Sequence, residues 1–600
     1  MANGMGSLYI GASGLRNSQN ALNTTANNLA NVDTKGYVRQ QVLFADMQYV
    51  TFDNKTNSIS KQQAGLGVSI GEVVHTRDIF LDKYYRNEAG RQAFYDTTYT
   101  AINQIEDVFQ EMEGEAMQNT FKDFYVAFQE LAKTPDDTVQ QGLVIQKATL
   151  LIERAQAVNS NLRDYQKNMN IQIEDSVKRI NELGKEIKKL NLQIQKIEAG
   201  HQEKAMTFRD ARDLCLDELS TLARIDFKEM PDGVVKVSIE GEEFVDEVIL
   251  HPIDLREDRM TGFLTPYWTH LSNIPNGKYT DVFDLSAKLS TANNSDIGKL
   301  KALILARGDR FANYMDLFTK VKETDAAGNY ITDADGNYKY NYPKDADGNY
   351  IDLTQYDYNN GIGQSVVMNG EAELDRWIHE MITSINDLLC PNKTVMIGGE
   401  PVLVWDEEHA AYGNDGKKPG NELFTRTGTD RYDSTPVTGD DGELYYVFNE
   451  ESSTDTSKQY TINSLNINQA LLDESSNLPY KKAGGTNINE TDVALAEALR
   501  DLFEKDLLIL NPNDTDKCNF SSYYQRMLGD VANRGSICMT LKDSITGSVA
   551  AIDNQRQQVI GVSSDEELTN MIKYQNAYNA SSRFINVISE MIEHLLTKLG

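Results

Sequence analysis

The chain has little proline, 12 residues in 600, and four scattered cysteines, Cys215, Cys390, Cys518 and Cys538, with no CxxC spacing. The first scarcity disfavours a Pro-rich linker protein. The second excludes a disulfide framework or a Cys-rich zinc site and makes the thiols read as buried. Basic residues are outnumbered, 58 Lys and Arg against 90 Asp and Glu, and a net charge of -32 leaves no basic face for nucleic acid. No apolar run reaches the roughly 18 residues of a membrane span. The opening MANGMGSLYIGASGL has neither a basic start nor a long apolar core, so no cleaved secretory signal is expected. The rest is ordinary for a folded protein: 40% apolar residues, 9% aromatic, and a length that allows about three to six domains.

Catalytic constellations are missing too. Seven histidines include no HExxH, since His379 and Glu380 are followed by Met-Ile-Thr, and there is no GxSxG and no Walker loop. Gly65, Gly67 and Gly71 lack the GxGxxG spacing and lead into strand-like residues. Neither an enzyme nor a cofactor is expected. A repeat, DAAGNY at 325–330 and DADGNY at 333–338 and 345–350, looks at first like calcium. In an EF-hand loop the turn glycine is sixth, which puts Asp333 and Asp335 at the third and fifth positions and demands an acid at the first. Ile331 stands there, and Pro343 in the next copy, so the ligand set is broken. Hairpins carrying Tyr338, Tyr340 and Tyr342 on one face are expected instead, and no metal.

What is present is helical periodicity. Leu8, Leu15, Leu22 and Leu29 recur every seventh position, with Ala12, Ala26 and Val32 read as filling the adjacent face. The residues between them are Asn, Ser, Thr and Gln, so this helix needs a partner. The other end of the chain offers one. Met571, Tyr574, Tyr578, Ser581, Ile585, Ile588, Ile592, Leu595 and Leu599 step by threes and fours after Ser563, Ser564 and three acids that cap the first turn. Both stripes are narrow and sit at chain ends, which favours mutual pairing and self-assembly over burial in a globular core. A third stripe runs from Val158 to Ile197, in a helix expected over 136–199 with its N-cap at Thr134 and Pro135 in the first turn. Its expected partners are helices at 91–133, 205–223 and 490–509. A hairpin follows the Asp232-Gly233 turn. From about 320 to 460 the composition turns acidic and rich in Asp-Gly turns, an exposed β-rich insert between helices at 299–320 and 371–389.

The ends are also specific. SGLRNSQNAL at 13–22, then NLANVDTKGYVRQ at 28–40, resembles the N-terminal signature of bacterial flagellar rod, hook and hook-associated proteins. GVSSDEEL at 561–568, YQNAYNASSR at 574–583 and Glu590-Met-Ile resemble the matching C-terminal end, and Arg209-Asp-Ala-Arg-Asp213 and Asn554-Gln-Arg556 point to the hook-associated branch. Lys35 stands where the family often has Pro, leaving Gly36 to supply the turn. The resemblance implies a multidomain, mainly α fold: a terminal coiled-coil domain (1–65 with 556–600), a helical rod core with β-hairpins (66–320 with 365–390 and 461–555) and a variable outer insert (321–364 and 391–460). It implies a structural subunit at the junction of hook and filament, exported unprocessed to the extracellular flagellum. Its partners would be further copies in a ring, hook protein, a second junction protein and an export chaperone at the C-terminal helix, with no nucleic acid and no membrane. The assembly residues would be Leu8, Leu15, Leu22, Leu29, Asn31, Gly36, Tyr37, Tyr574, Tyr578, Ile585, Ile588, Ile592 and Leu595. Another axial protein of hook or rod type, or a secreted calcium-binding or adhesive module, is the alternative.

Overall fold

The computed structural model describes the chain apart from residues 1, 48–49, 52–62, 65–66, 76, 111–116, 201–203, 248, 286–287, 324–339, 346–349, 454, 483–489 and 600. Along the described residues run α1 (Ala2–Ala30), α2 (Ile79–Gln110), α3 (Met117–Leu131), α4 (Thr138–Glu198), α5 (Met206–Leu222) and α6 (Lys299–Arg307). They are followed by α7 (Gln355–Asn360), α8 (Val366–Leu389), α9 (Gln469–Asp473), α10 (Val493–Leu502), α11 (Phe520–Ile560) and α12 (Ser564–Leu599). Antiparallel sheets of two or three strands attach to this frame, so the fold is mainly helical with β-rich attachments.

The rod is α4, about 90 Å long at 1.5 Å per residue. Asp137 caps it by accepting the amide of Val139 at 2.8 Å, while Thr134 and Pro135 stay in the connection after α3, a correction to the expected N-cap. Leu162, Ile173, Ile180, Leu183 and Ile187 of its stripe are fully buried. Within the stripe, Tyr165 is only half-buried and Gln166 takes the seam, its Nε2 donating to the carbonyl of Arg307 at 2.9 Å. Ile197, at the end, is exposed. Gly184 lets the Phe244 strand approach, because a Cβ there would lie 2.5 Å from the Phe244 ring. That strand belongs to a three-stranded sheet, Ile225–Glu229, Val235–Ile239 and Glu242–Val245, in which Gly233 (φ +83°) turns the first strand into the second.

Several boundaries differ from the periodicity. The helix begun at residue 299 stops at Arg307, because Gly308 (φ +82°) turns the chain away, and α8 starts at Val366, capped by Ser365. The largest omission is α11, 41 residues long and packed along α2, where the sequence suggests no helix. Its buried set mixes Tyr523, Met527 and Val531 with Gly535, Cys538 and Arg556, which carries no apolar rhythm.

The segment read as an exposed insert is largely drawn inward. Trp405, Leu423, Phe424, Tyr432 and Tyr460 are buried in the same core as the rod. Its outer parts are the hairpin Asn392–Ile397 with Glu400–Trp405 and the short pair Val437–Thr438 with Leu444–Tyr445. The first two tyrosine repeats, with Asp333, Asp335 and Tyr338, lie outside the described residues. At their base Val321–Lys322 pairs with Tyr340–Asn341, and Tyr342 packs on Tyr350.

Candidate functional site

The two chain ends meet as α1 and α12, which run antiparallel: Gly11 faces Ile585, Gly14 faces Ser581 and Asn28 reaches Glu567. A Cβ on Gly11 would lie 2.6 Å from Ile585 Cγ1, so the glycines set the closeness of the pair. Leu8, Leu15, Leu22 and Leu29 are all half-buried in this seam, as are Met571, Tyr574, Tyr578, Ser581, Ile585, Ile588 and Ile592. The filling between the leucines is different from the expected one. Gly11, Asn17, Ser18, Ala21, Thr25 and Asn28 are the buried residues, whereas Ala12, Ala26 and Val32 are exposed. Leu595 is 56% exposed, because the antiparallel register places it opposite the start of α1, where the partner ends. The Leu599 side chain lies outside the described residues.

The polar residues of α1, unpromising as helix formers, bind a β-hairpin. Strands Gln40–Asp46 and Val68–His75 lie along α1, where Ser13 Oγ accepts the amide of Val68 at 3.3 Å and Asn17 Nδ2 donates to its carbonyl. Asn28 is 1% exposed and fully used. It exchanges hydrogen bonds with the backbone of Gln40 at 2.9 and 3.1 Å, accepts from the Tyr37 hydroxyl at 2.8 Å and donates to Glu567. Burial, with Asp210 and Glu567 nearby, pushes the Tyr37 phenol up to about 12. Asn31 holds the turn that follows, donating to the carbonyl of Asn27 and accepting from Thr34. Gly36 (φ +81°) closes that turn against Leu214, so glycine supplies it with Lys35 in the preceding position.

Glu567, one of the three acids expected to cap the helix, is 2% exposed and binds Arg39 Nε at 2.8 Å, while Glu566 takes Arg39 Nη1 at 2.8 Å. This clasp fixes the start of α12 to the exit of α1. Tyr574 adds an edge contact to Phe44 of the hairpin.

Below the clasp, three arginines and three aspartates form a closed ring of alternating charge. Arg77 binds Asp82 (2.6 Å), Asp82 binds Arg556 (2.6 Å), Arg556 binds Asp217 (2.7 Å), Asp217 binds Arg86 (2.7 Å), Arg86 binds Asp213 (3.1 Å) and Asp213 binds Arg77. The ring ties α2, α5 and α11 together where the chain passes to its terminal pair. Burial alone would raise Asp213, but the guanidinium groups of Arg77, Arg86 and Arg212 outweigh it and hold the carboxyl below its ordinary value. Beside the ring, Asp210 accepts the amide of Val38 at 3.3 Å and lies 3.5 Å from His75 Nδ1. On the open side the joint leaves a cleft of about 940 Å³ bounded by Lys35, Gly36, Leu214, Asp553 and Glu566. Two motifs noted in the sequence, at 209–213 and 554–556, thus supply Asp210, Asp213 and Arg556.

Three family models match the chain. The flagellar hook-associated protein FlgK helical domain covers residues 102–321, the flagella basal body rod protein covers 8–37, and the flagellar basal body rod FlgEFG protein C-terminal covers 555–598. The last two fall on the helices that pair. Flagellar hook-associated protein 1 of Bacillus subtilis (strain 168) is 23% identical over 97% of this chain and 96% of its own length. Over nearly its whole length this chain is thus similar to flagellar hook-associated protein 1. The protein of the same name from Salmonella typhimurium (strain LT2) is also 23% identical, over 97% of this chain and 98% of its own length. The flagellar hook junction protein FlgK from Burkholderia pseudomallei matches with a TM-score of 0.49 at 12% identity, covering 80% of this chain and 100% of that one. None of the described helices is long and apolar enough to cross a membrane.

Proposed function

We propose that this chain is a structural subunit of the bacterial flagellum that builds the junction between hook and filament, and that α1 and α12 are its assembly elements. The observation that carries the reading is a second apolar row on α12. Phe584, Val587 and Met591 are 41%, 52% and 58% exposed, continuing to Leu595 and Leu596, and Ile10 adds to them from α1. Solvated apolar side chains repeated at helical spacing mark an interface awaiting its other half. Neighbouring copies arranged in a ring would cover this row, each contributing one surface and receiving another. The seam residues, the Asn31, Gly36 and Tyr37 turn and the exposed row together form the assembly region in this reading.

Hook protein on one side and a second junction protein on the other follow from a junction role, as does an export chaperone that shields the apolar row of α12 before assembly. Delivery to the extracellular flagellum is part of the same reading. The division into a terminal domain, a rod core and an outer segment is supported by the clasp and ring at the joint.

Ile588 is half-buried against α1 within one chain, so Ile588→Asp disturbs the subunit itself. Met591→Asp is the cleaner probe. Its side chain is exposed, so the melting of the purified subunit is expected to stay unchanged. In a ring the carboxylate would be buried at every interface, at several kcal/mol each by the order-of-magnitude cost of an unpaired charge. Cells carrying only this variant are expected to release filament subunits into the medium and lose motility. Normal swimming would overturn the assignment of this face to assembly.

A further inference from the structure

Two of the crossings between the helical frame and the outer segment, at 309–318 and at 450–462, are held by carboxylates of one stretch of α8. Glu371, Glu373 and Asp375 follow one another there at 0%, 0% and 4% exposure. Asp375 takes one backbone amide from each crossing, that of Tyr314 at 3.0 Å on Oδ2 and that of Ile462 at 2.7 Å on Oδ1. Glu371 accepts the amide of Ala312 at 2.9 Å, and its other oxygen has no hydrogen-bond partner. Glu451, on the returning crossing, accepts from the amide of Tyr460 and the hydroxyl of Tyr314, each at 2.7 Å, and meets His379 Nε2 at 2.9 Å. The Tyr314 ring lies flat on His379 with centroids 3.8 Å apart. Asn313 and Gln459 join the two crossings directly.

This arrangement gathers more negative than positive charge away from water. Facing Glu371 and Asp375 are Arg163 from α4, 4.0 Å from Glu371, Asp316 with its partner Arg310 from the outgoing crossing, and His379 on α8 itself, which in turn faces Glu451 of the returning crossing and Glu380. We propose that the cluster is a pH-sensitive clamp: the amide donors hold the carboxyl groups in either state, but ionising Glu371 and Asp375 adds two buried negative charges to a site with few facing cations, so both crossings slacken and the outer segment loosens from the frame toward alkaline pH.

The directions of titration agree. Burial pushes Glu371 up to about 8 and Asp375 up to about 6. Their grip is complete below the ordinary carboxylate range and is lost as pH rises through those values, up to about tenfold in the closing equilibrium per pH unit for each proton released. Glu451 behaves oppositely. Burial would raise it, but His379 dominates and holds it down at about 2, so its contribution fails in strong acid; Glu451 in turn raises His379, so the pair also weakens toward alkaline pH as the imidazole loses its proton.

The test is amide hydrogen exchange on the full chain from pH 5.5 to 9, corrected for intrinsic chemical rates. Peptides covering 312–316 and 460–464 should lose protection as pH rises, while the α4 seam shows a shallower slope. Glu371→Gln and Asp375→Asn should each flatten the dependence at the crossings. An infrared band of protonated buried carboxyl should be present at pH 5.5 and bleach by pH 9, a readout that needs no variant. A flat wild-type profile, an unaltered slope in a folded variant, or no such band at pH 5.5 would overturn the clamp. None of these outcomes depends on whether the terminal pair assembles.

Discussion

The rod and the terminal pair are written with the same rhythm and finished to different degrees. Along α4, Leu162, Ile173, Ile180, Leu183 and Ile187 are all 0% exposed, because α3, α5, α6, α8 and the three-stranded sheet close around them. Along α1 the heptad leucines are only half-buried, with one helix on one side and a two-stranded hairpin on the other. Apolar periodicity therefore reports that a face requires burial without reporting who buries it. In the rod the chain covers the whole face; in the pair it covers only part of it.

Removing one member of the charge ring should have the largest effect. Asp217→Ala leaves Arg86 and Arg556, at 2% and 7% side-chain exposure, without their shared carboxylate. Breaking a buried ion pair from one side costs about 3–5 kcal/mol. Denaturant unfolding followed by far-UV circular dichroism should show the rod transition moving by that amount, and an unchanged midpoint would mean that the ring contributes nothing to holding α2, α5 and α11.

A direct test of the comparison uses one substitution in both regions. Leu183→Ala empties a fully enclosed site in the rod and should cost about 2–5 kcal/mol. Leu22→Ala removes the same atoms from a half-buried site and should cost about half as much or less, read as weaker hydrogen-exchange protection of α1 and α12 with the rod transition unmoved. Equal losses would show the pair to be as complete as the rod.

Much of this contrast is legible in the residues. The stripe through Leu183 and the heptad of Leu8 to Leu29 are plain because aliphatic side chains at 3.5-residue spacing have one economical use. Buried polar residues hide better. Asn28, Glu567, Glu371 and Asp375 look like surface residues on helices, yet each is buried against a segment remote in the chain: Asn28, Glu371 and Asp375 satisfy its backbone groups, and Glu567 takes the side chains of Asn28 and Arg39. Nothing in local spacing announces such a partner. α11 escaped for a related reason: it packs on α2 through Gly535 and Cys538 and on the joint through Arg556, side chains that no apolar rhythm selects.

The joint between the two regions should resist pH where the clamp does not. Burial raises Asp210 to about 7 and lowers His75 to about 4. Folded, the pair then carries one proton on Asp210 between those values; unfolded, it carries one on His75 up to about 6.5. Proton counts match between roughly pH 4 and 6.5, so the two linkage terms cancel there: the raised carboxyl favours folding as pH falls and the lowered imidazole opposes it equally. Asp210→Asn, which imitates the protonated carboxyl, should leave exchange of the Val38 amide within about twofold of the parent across that window. Asp210→Ala removes the acceptor and should expose it at a cost of about 1 kcal/mol, the scale of one lost hydrogen bond.

The smallest effects should come with opposite signs from two glycines of α1. Gly6 has no atom within 4 Å of where a Cβ would stand, so Gly6→Ala only lowers the backbone entropy of the unfolded chain and should strengthen the helix by about 0.5–1 kcal/mol. Gly11 gains the same propensity and loses more, because its new methyl would sit 2.6 Å from Ile585 Cγ1 and 3.2 Å from Phe584 Cδ1. Ile585 is β-branched and cannot rotate away freely, so α12 must back off, at about 1–3 kcal/mol for overpacking. Net weakening of the pair follows. Exchange protection of the 581–588 peptide should rise in Gly6→Ala and fall in Gly11→Ala, with the rod unaffected in both. Two rises would mean that α1 and α12 approach each other less closely than the Gly11 and Ile585 contact requires, and that the unfinished surface of the terminal pair includes its seam.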